Sequence, residues 1–305
     1  MPNSKKKKLI VIAGPTAVGK TALSIELAND LKTEIISADS RQFFRELNIG
    51  TAKPSAQELS EAPHHFINSH SITQTYSAGD FERDCLSLLD SLFETLDYVI
   101  LTGGSGFYIK ALLEGLDELP IPAPGLRESL TERLQNEGLE VLRKELETVD
   151  PVFFQSSETS NPQRVLRALE VYKTTGKPIS QYRLENKKER DFNPVCIAVN
   201  RDRAELYQRI DTRIDNMLND GLVEEVRGLS EFKSHQALQT VGYKEVFEYL
   251  DGNYDEEEMI RVLKQNSRRY AKRQLTWFRH QGNFEWFDVE DYDQILHFIK
   301  AELAI

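Results

Sequence analysis

Short, wholly apolar runs separated by amphipathic stretches set the rhythm of this chain. Leu9-Ile10-Val11-Ile12-Ala13 carries no polar position, the mark of a strand buried on both faces rather than one half exposed with period two. Glu34-Ile35-Ile36-Ser37-Ala38, Tyr98-Val99-Ile100-Leu101-Thr102 and Val195-Cys196-Ile197-Ala198-Val199 read as three further strands. Helical patterns stand between them, at Ala22–Ala28 after the first run and at Phe81–Leu96 before the third. Strands alternating with helices predict an α/β fold, a parallel sheet with helices on both faces. Ligands of such sheets bind beyond the carboxyl ends of the strands.

The stretch between the third and fourth runs has another character. It opens on Leu119-Pro120-Ile121-Pro122-Ala123-Pro124, a stiff extended segment, and continues with helical patterns at about 125–147 and 162–175 and a polar run, Glu185–Asp191. No strand pattern interrupts it, so residues 118–192 are expected to form an inserted helical subdomain within a core of 1–117 and 193–305. After the fourth run the pattern is helical throughout: Ala204–Asn219, a stop at Gly221, Leu222–Leu229, and a long helix over Glu256–Gln281.

Composition narrows the class. The chain has 305 residues, 40% of them hydrophobic and 29% charged, which suits a soluble α/β protein. No apolar run approaches the ~20 residues of a membrane span, so no membrane partner is expected. The N-terminal Lys5-Lys6-Lys7-Lys8 precedes only five apolar residues and reads as a solvated leader, not a signal peptide. Two distant cysteines, Cys85 and Cys196, point to a reducing, cytoplasmic setting without structural zinc. A net charge of −11 argues against indiscriminate nucleic-acid binding and leaves room for a local basic surface.

The strongest chemical signal is Gly14-Pro15-Thr16-Ala17-Val18-Gly19-Lys20-Thr21, lying between the first strand and the first helix. This is the G-x-x-x-x-G-K-[ST] phosphate loop in the setting it requires, and it predicts a P-loop NTPase-like sheet. Its backbone N–H groups and the helix dipole converge on anionic oxygens, Lys20 adds a positive charge, and the Thr21 hydroxyl can ligate Mg²⁺. A di- or triphosphate is therefore expected there.

Further candidates surround it. Asp39, just beyond the second strand, is placed to ligate metal, to act as a general base, or to cap a following helix. The third strand ends Gly103-Gly104-Ser105-Gly106-Phe107-Tyr108 without the carboxylate that holds Mg²⁺ in phosphate-loop ATPases, which weakens a motor or ATPase reading. Arg164 and Arg167, and likewise Arg209 and Arg213, share helix faces and suit phosphates. Between Arg261 and His280 stand seven cationic residues and no acid, with Arg261, Lys264, Arg268 and Lys272 on one stripe, a candidate RNA footprint. Trp277 is expected in the core, and the adjacent His64 and His65 point apart, against a shared metal.

Taken together these segments resemble the tRNA dimethylallyltransferases, the bacterial tRNA isopentenyltransferase family, over nearly the whole chain. The resemblance rests on residues 14–21, Asp39-Ser40-Arg41-Gln42, Asn48–Pro54, Pro63-His64-His65 and Tyr76–Phe81. It continues through Gly103–Tyr108, Lys110–Gly115, Asn161–Ala168, Leu206–Arg213 and Gln239–Glu245. It implies transfer of a dimethylallyl group from dimethylallyl diphosphate to N6 of the adenosine 3′ of the anticodon, with Mg²⁺ as cofactor and a monomeric enzyme. Asp39 and Ser105 would be catalytic; Gly14 through Thr21 and Arg209 would hold the diphosphate, with Thr21 toward the metal. Asp39, Ser40, Arg41, Gln42, Ser105, Arg127, Gln163, Arg164, Val165, Leu166, Arg167, Thr240, Val241, Gly242, Tyr243, Lys244 and Glu245 would contact tRNA. Ser105 stands where the family commonly has threonine, and Phe107 where it commonly has leucine. Other readings of the same loop are an isopentenyltransferase acting on free adenine nucleotides, a small-molecule kinase, and a non-catalytic RNA-binding protein.

Overall fold

A computed structural model of the chain describes residues 7–183 and 187–305, so Met1–Lys6 of the basic leader and Glu185–Asn186 of the polar run lie outside it. Six strands form one sheet: β1 (Lys7–Ala13), β2 (Ile35–Ser37), β3 (His64–His65), β4 (Tyr98–Gly103), β5 (Phe192–Asn200) and β6 (Glu285–Asp288). Their spatial order is β3-β2-β4-β1-β5-β6, and every pair is parallel. The helices are α1 (Lys20–Leu31), α2 (Ala56–Glu61), α3 (Ala78–Leu92), α4 (Gly106–Glu114), α5 (Leu126–Glu137), α6 (Leu139–Val149) and α7 (Pro151–Phe154). They continue as α8 (Pro162–Thr175), α9 (Arg203–Asn219), α10 (Leu222–Gly228), α11 (Tyr243–Leu250), α12 (Glu256–His280) and α13 (Tyr292–Leu303).

The apolar run of β1 explains its central place. Ile10 and Ile12 enter one core with Ile35, Ile100, Ile197 and residues of α1, α9 and α11. Leu9, Val11 and Ala13 enter the other with Ile36, Val99, Leu101 and Phe81. Successive side chains point to opposite faces, so a strand covered on both sides can have no polar position.

Two strands escape the sequence reading. β3 is two residues long, and β6 interrupts a C-terminal region expected to be helical throughout; its Glu-Trp-Phe-Asp is too short to display a period. The expected helix over 125–147 is two helices, α5 and α6, parted at Gly138, whose φ of 83° suits only glycine comfortably.

The chain forms two compact units, residues 1–113 with 189–305, and residues 114–188. The helical unit has its own core of Leu130, Leu142, Leu146, Phe153, Val165, Leu166 and Leu169. It differs at its edges from the expected 118–192. Lys188 N–H donates to the Glu114 carbonyl (2.8 Å), pairing its two ends. Arg190 already belongs to the sheet unit, binding the carbonyls of Ala111 and Leu112 and the Glu82 carboxylate at 2.7 Å, and Phe192 opens β5. No helix among the described residues is long and apolar enough to cross a membrane.

Candidate functional site

The strand register gathers the candidate chemistry. Ala13 pairs with Gly103, and Ser37 with Thr102, so the residues that follow β1, β2 and β4 leave the sheet side by side. Between β1 and α1 the loop turns through Ala17 (φ 65°) and Gly19 (φ 117°), and α1 begins with no side-chain cap. No side-chain cap therefore occupies its first N–H groups, as anion binding at a helix start requires.

The loop is braced from three directions. Lys20 Nζ donates to the Gly14 carbonyl (3.0 Å) and the Pro15 carbonyl (2.7 Å). Pro15 has no N–H, so its part is to accept this bond. From α9, Arg209 Nε donates to the Ala17 carbonyl (3.0 Å) and Arg213 donates to Thr16 Oγ1 (2.5 Å). From α12, the buried Gln274 accepts from Thr16 N–H (2.9 Å) and donates to the Gly104 carbonyl (2.9 Å), linking the loop to the end of β4. Arg213 is partly buried, its Nε has no hydrogen-bond partner among the described residues, and burial holds its pKa down against the pull of Asp39. A guanidinium so placed has donor capacity left for an anion. The spacing of Arg209 and Arg213 marks them as a pair, whereas nothing in the sequence marks Gln274.

Asp39 follows β2 and is met by turns rather than a helix, so it caps none. Its Oδ1 accepts from Arg41 N–H (2.9 Å), a local turn that fixes the carboxylate, while Oδ2 takes no hydrogen bond from a described residue. The carboxylate acts electrostatically on Lys20, Arg213 and Tyr270, which puts it beside the phosphate loop. Ser105, at the start of α4, accepts from Ser40 N–H (3.0 Å) and donates to Ser40 Oγ (3.2 Å), tying the β4 loop to the residue after Asp39. Gly103 makes this closeness possible: a Cβ there would lie 2.3 Å from the Ala38 carbonyl oxygen.

Burial pushes the Lys20 ammonium down to about 8, with Asp39 raising it and Arg213 lowering it. An anion binds the protonated form, so affinity for a diphosphate is expected to fall as pH rises through about 8, by up to about tenfold per unit. Calorimetric titration between pH 7 and 9 checks this: Lys20→Met should bind more weakly and lose the dependence, and a flat wild-type profile would remove Lys20 from anion binding.

Several residues expected to contact tRNA are turned inward. Val165 and Leu166 are wholly buried in the helical unit's core, on the side of α8 away from Arg164 and Arg167. Tyr243 is buried and donates to Glu225 Oε1 (2.6 Å). Glu245 is buried too, accepting from Gly242 N–H (2.8 Å) and Asn266 Nδ2 (2.7 Å), so it caps α11. These four side chains are engaged inside the protein, because the positions of a packed helix cannot all face outward. Thr240, Val241 and Lys244 stay partly or fully exposed. In the helical unit, Arg127 pairs with Glu170 and Gln163, Arg164 with Glu158, and Arg167 with Glu170.

The basic stripe on α12 also changes meaning. Arg261 pairs with Glu258, Lys264 with Asp215 and Arg268 with both oxygens of Asp211, so most of that stripe is neutralised, chiefly by α9. His65 pairs with Glu34 and His64 bonds the Ala62 carbonyl, and no metal-binding cluster of His, Cys, Asp or Glu occurs among the described residues.

The profile of the family described as IPP transferase matches residues 42–281. The chain is 51% identical over 297 residues to the tRNA dimethylallyltransferase of Cytophaga hutchinsonii, covering 97% of this chain and 98% of that one. A crystal structure of the full-length tRNA isopentenylpyrophosphate transferase of Bacillus halodurans superposes with a TM-score of 0.72 at 38% identity, covering 98% and 97% of the two chains. A eukaryotic dimethylallyltransferase acting on tRNA gives a TM-score of 0.78 at 29% identity, over 97% of this chain and 77% of that one. With this extent of likeness added to a phosphate loop facing a fixed carboxylate, the chain belongs to the IPP transferase family.

Proposed function

We propose that this protein is a tRNA dimethylallyltransferase, moving the prenyl group of dimethylallyl diphosphate to N6 of the adenosine 3′ of the anticodon and releasing diphosphate. One observation carries the reading: an anion cradle and a carboxylate stand side by side, Gln274 tying the loop to the end of β4 and Ser105 tying that end to Ser40, next to Asp39. The allylic C–O bond breaks as the N6–carbon bond forms, and the departing electron pair goes to the diphosphate. The loop N–H groups, Lys20, Arg209 and Arg213 stabilise that charge. The exocyclic amine is a weak nucleophile because its lone pair is delocalised into the purine. Asp39 takes its proton as the bond forms, through the oxygen not engaged by Arg41.

Mg²⁺ fits this donor set. The Thr21 hydroxyl is a hard oxygen ligand, and Mg²⁺ characteristically takes one or two protein oxygens, keeping waters and substrate phosphates for the rest. When bound, it would supply further neutralisation of the diphosphate. Exposed Lys244 suits an RNA backbone, and the modified base would leave its stack to reach the carboxylate. A cytoplasmic monomer completes the reading.

The test is mass spectrometry of an anticodon stem-loop incubated with the protein, dimethylallyl diphosphate and Mg²⁺. A gain of one prenyl group on the adenosine next to the anticodon is expected. Prenylation of free AMP alone, or transfer of the ATP γ-phosphate to an acceptor, would overturn the assignment.

A further inference from the structure

Glu225 on α10 binds four donors at once. Its Oε2 accepts from the N–H groups of Asn48 (3.0 Å) and Ile49 (2.8 Å), and its Oε1 from the Gly50 N–H (3.1 Å) and the Tyr243 hydroxyl (2.6 Å). Three successive backbone donors thus close on one carboxylate supplied by another element, a nest with its anion built in. Gly50 lets the turn pack directly on α11, since a Cβ there would lie 2.6 Å from the Tyr243 ring.

The turn in its own way holds Gln42. Gln42 Nε2 donates to the carbonyls of Thr51 (3.3 Å) and Ala52 (3.2 Å), and its Oε1 accepts from Ser37 Oγ (3.1 Å). One end of the amide is therefore fixed to the turn and the other to the last residue of β2. Asp39 stands between Ser37 and Gln42, with its Oδ1 held by the Arg41 N–H. None of these hydrogen bonds involves the phosphate loop.

We infer that Glu225 is a positioning residue for prenyl transfer: its carboxylate fixes the 48–52 turn, the turn fixes Gln42, and Gln42 fixes the backbone that presents Asp39. The inference rests on the proposed reaction, in which Asp39 is the base. Hydrogen bonds to an ionised acceptor are about twice as strong as neutral ones, so a carboxylate holds three backbone donors better than an amide. A reacting group displaced by about 1 Å loses about 10²-fold in rate, so even a slack relay is costly to the chemistry. Donor binding, resting on the phosphate loop, is left intact.

The test follows single-turnover prenylation of a saturating anticodon stem-loop by the full chain, with dimethylallyl diphosphate affinity and thermal melts in parallel. Glu225→Gln keeps the size of the side chain but turns an NH₂ group toward backbone donors. Its rate constant should fall about 10–100-fold, with the reaction amplitude as in the wild type and donor affinity within twofold. Glu224→Gln, the same charge change at the exposed neighbouring position, should react as the wild type does. Gln42→Met should reproduce the loss, and the double variant with Glu225→Gln should fall no further than the slower single one, because both cut one relay. With the wild type active, an unchanged rate constant in Glu225→Gln overturns the role, as does a loss confined to amplitude, which would report unfolded protein. Losses that multiply in the double variant overturn the route through Gln42. If Glu225→Gln does not fold, a wild-type rate in Gln42→Met overturns the relay by itself. A wild type that leaves the stem-loop unmodified overturns the reaction, and the positioning role with it.

Discussion

Replacing Asp39 by asparagine should lower the single-turnover rate of prenyl transfer by about 10²–10⁴-fold, the range lost with a general base. Asparagine keeps an oxygen for the Arg41 N–H, so the turn after β2 survives while the proton acceptor is lost. Because Asp39 raises the Lys20 pKa, the substitution should also move the midpoint of donor binding below about 8. Rates are therefore best compared near pH 6.5, where Lys20 is charged in both proteins and donor affinities should agree within a few-fold. A variant within a factor of two of wild type would take Asp39 out of the chemistry.

Gly103→Ala adds one methyl group and should be almost as damaging. The new Cβ would meet the Ala38 carbonyl oxygen at 2.3 Å and its carbon at 2.6 Å, both backbone atoms that no rotamer change can clear. Overpacking of this kind costs about 1–3 kcal/mol, which should lower Tm by several degrees. The strain falls on the residue before Asp39, and a displacement of about 1 Å in a reacting group lowers rates by about 10²-fold. Thermal melts read beside single-turnover rates separate the two effects. A variant with unchanged Tm and rate would mean that β2 and β4 part without consequence at this point.

The parts of the site that were legible in the sequence are those whose chemistry is local. A phosphate loop is built from consecutive backbone groups, so its residues announce themselves, as do strands whose burial on both faces leaves no polar position. Gln274 is different: it reaches Thr16 across 258 positions, and no local pattern encodes such a contact. The charges of α12 are a similar case. Seven cations without an acid look uniform along one helix, yet Asp211 and Asp215 on α9 neutralise one stripe and leave the next. Motif likeness carried whole segments across, inward-facing Val165, Leu166, Tyr243 and Glu245 included, because a matched run says nothing of which side chains point out. β3 and β6 were missed because two and four residues are too few for periodicity to show.

The position of β1 has a bearing on synthesis at the ribosome. One flank of this strand pairs with β4, but the other awaits β5, whose residues 192–200 are translated only after the whole helical unit. Until then Leu9–Ala13, fully buried in the finished protein, presents an open hydrophobic edge able to pair with another nascent chain. The helical unit, having its own core, can fold during this interval. The half-made sheet cannot close, and so it is the stage at which this protein would depend on chaperones.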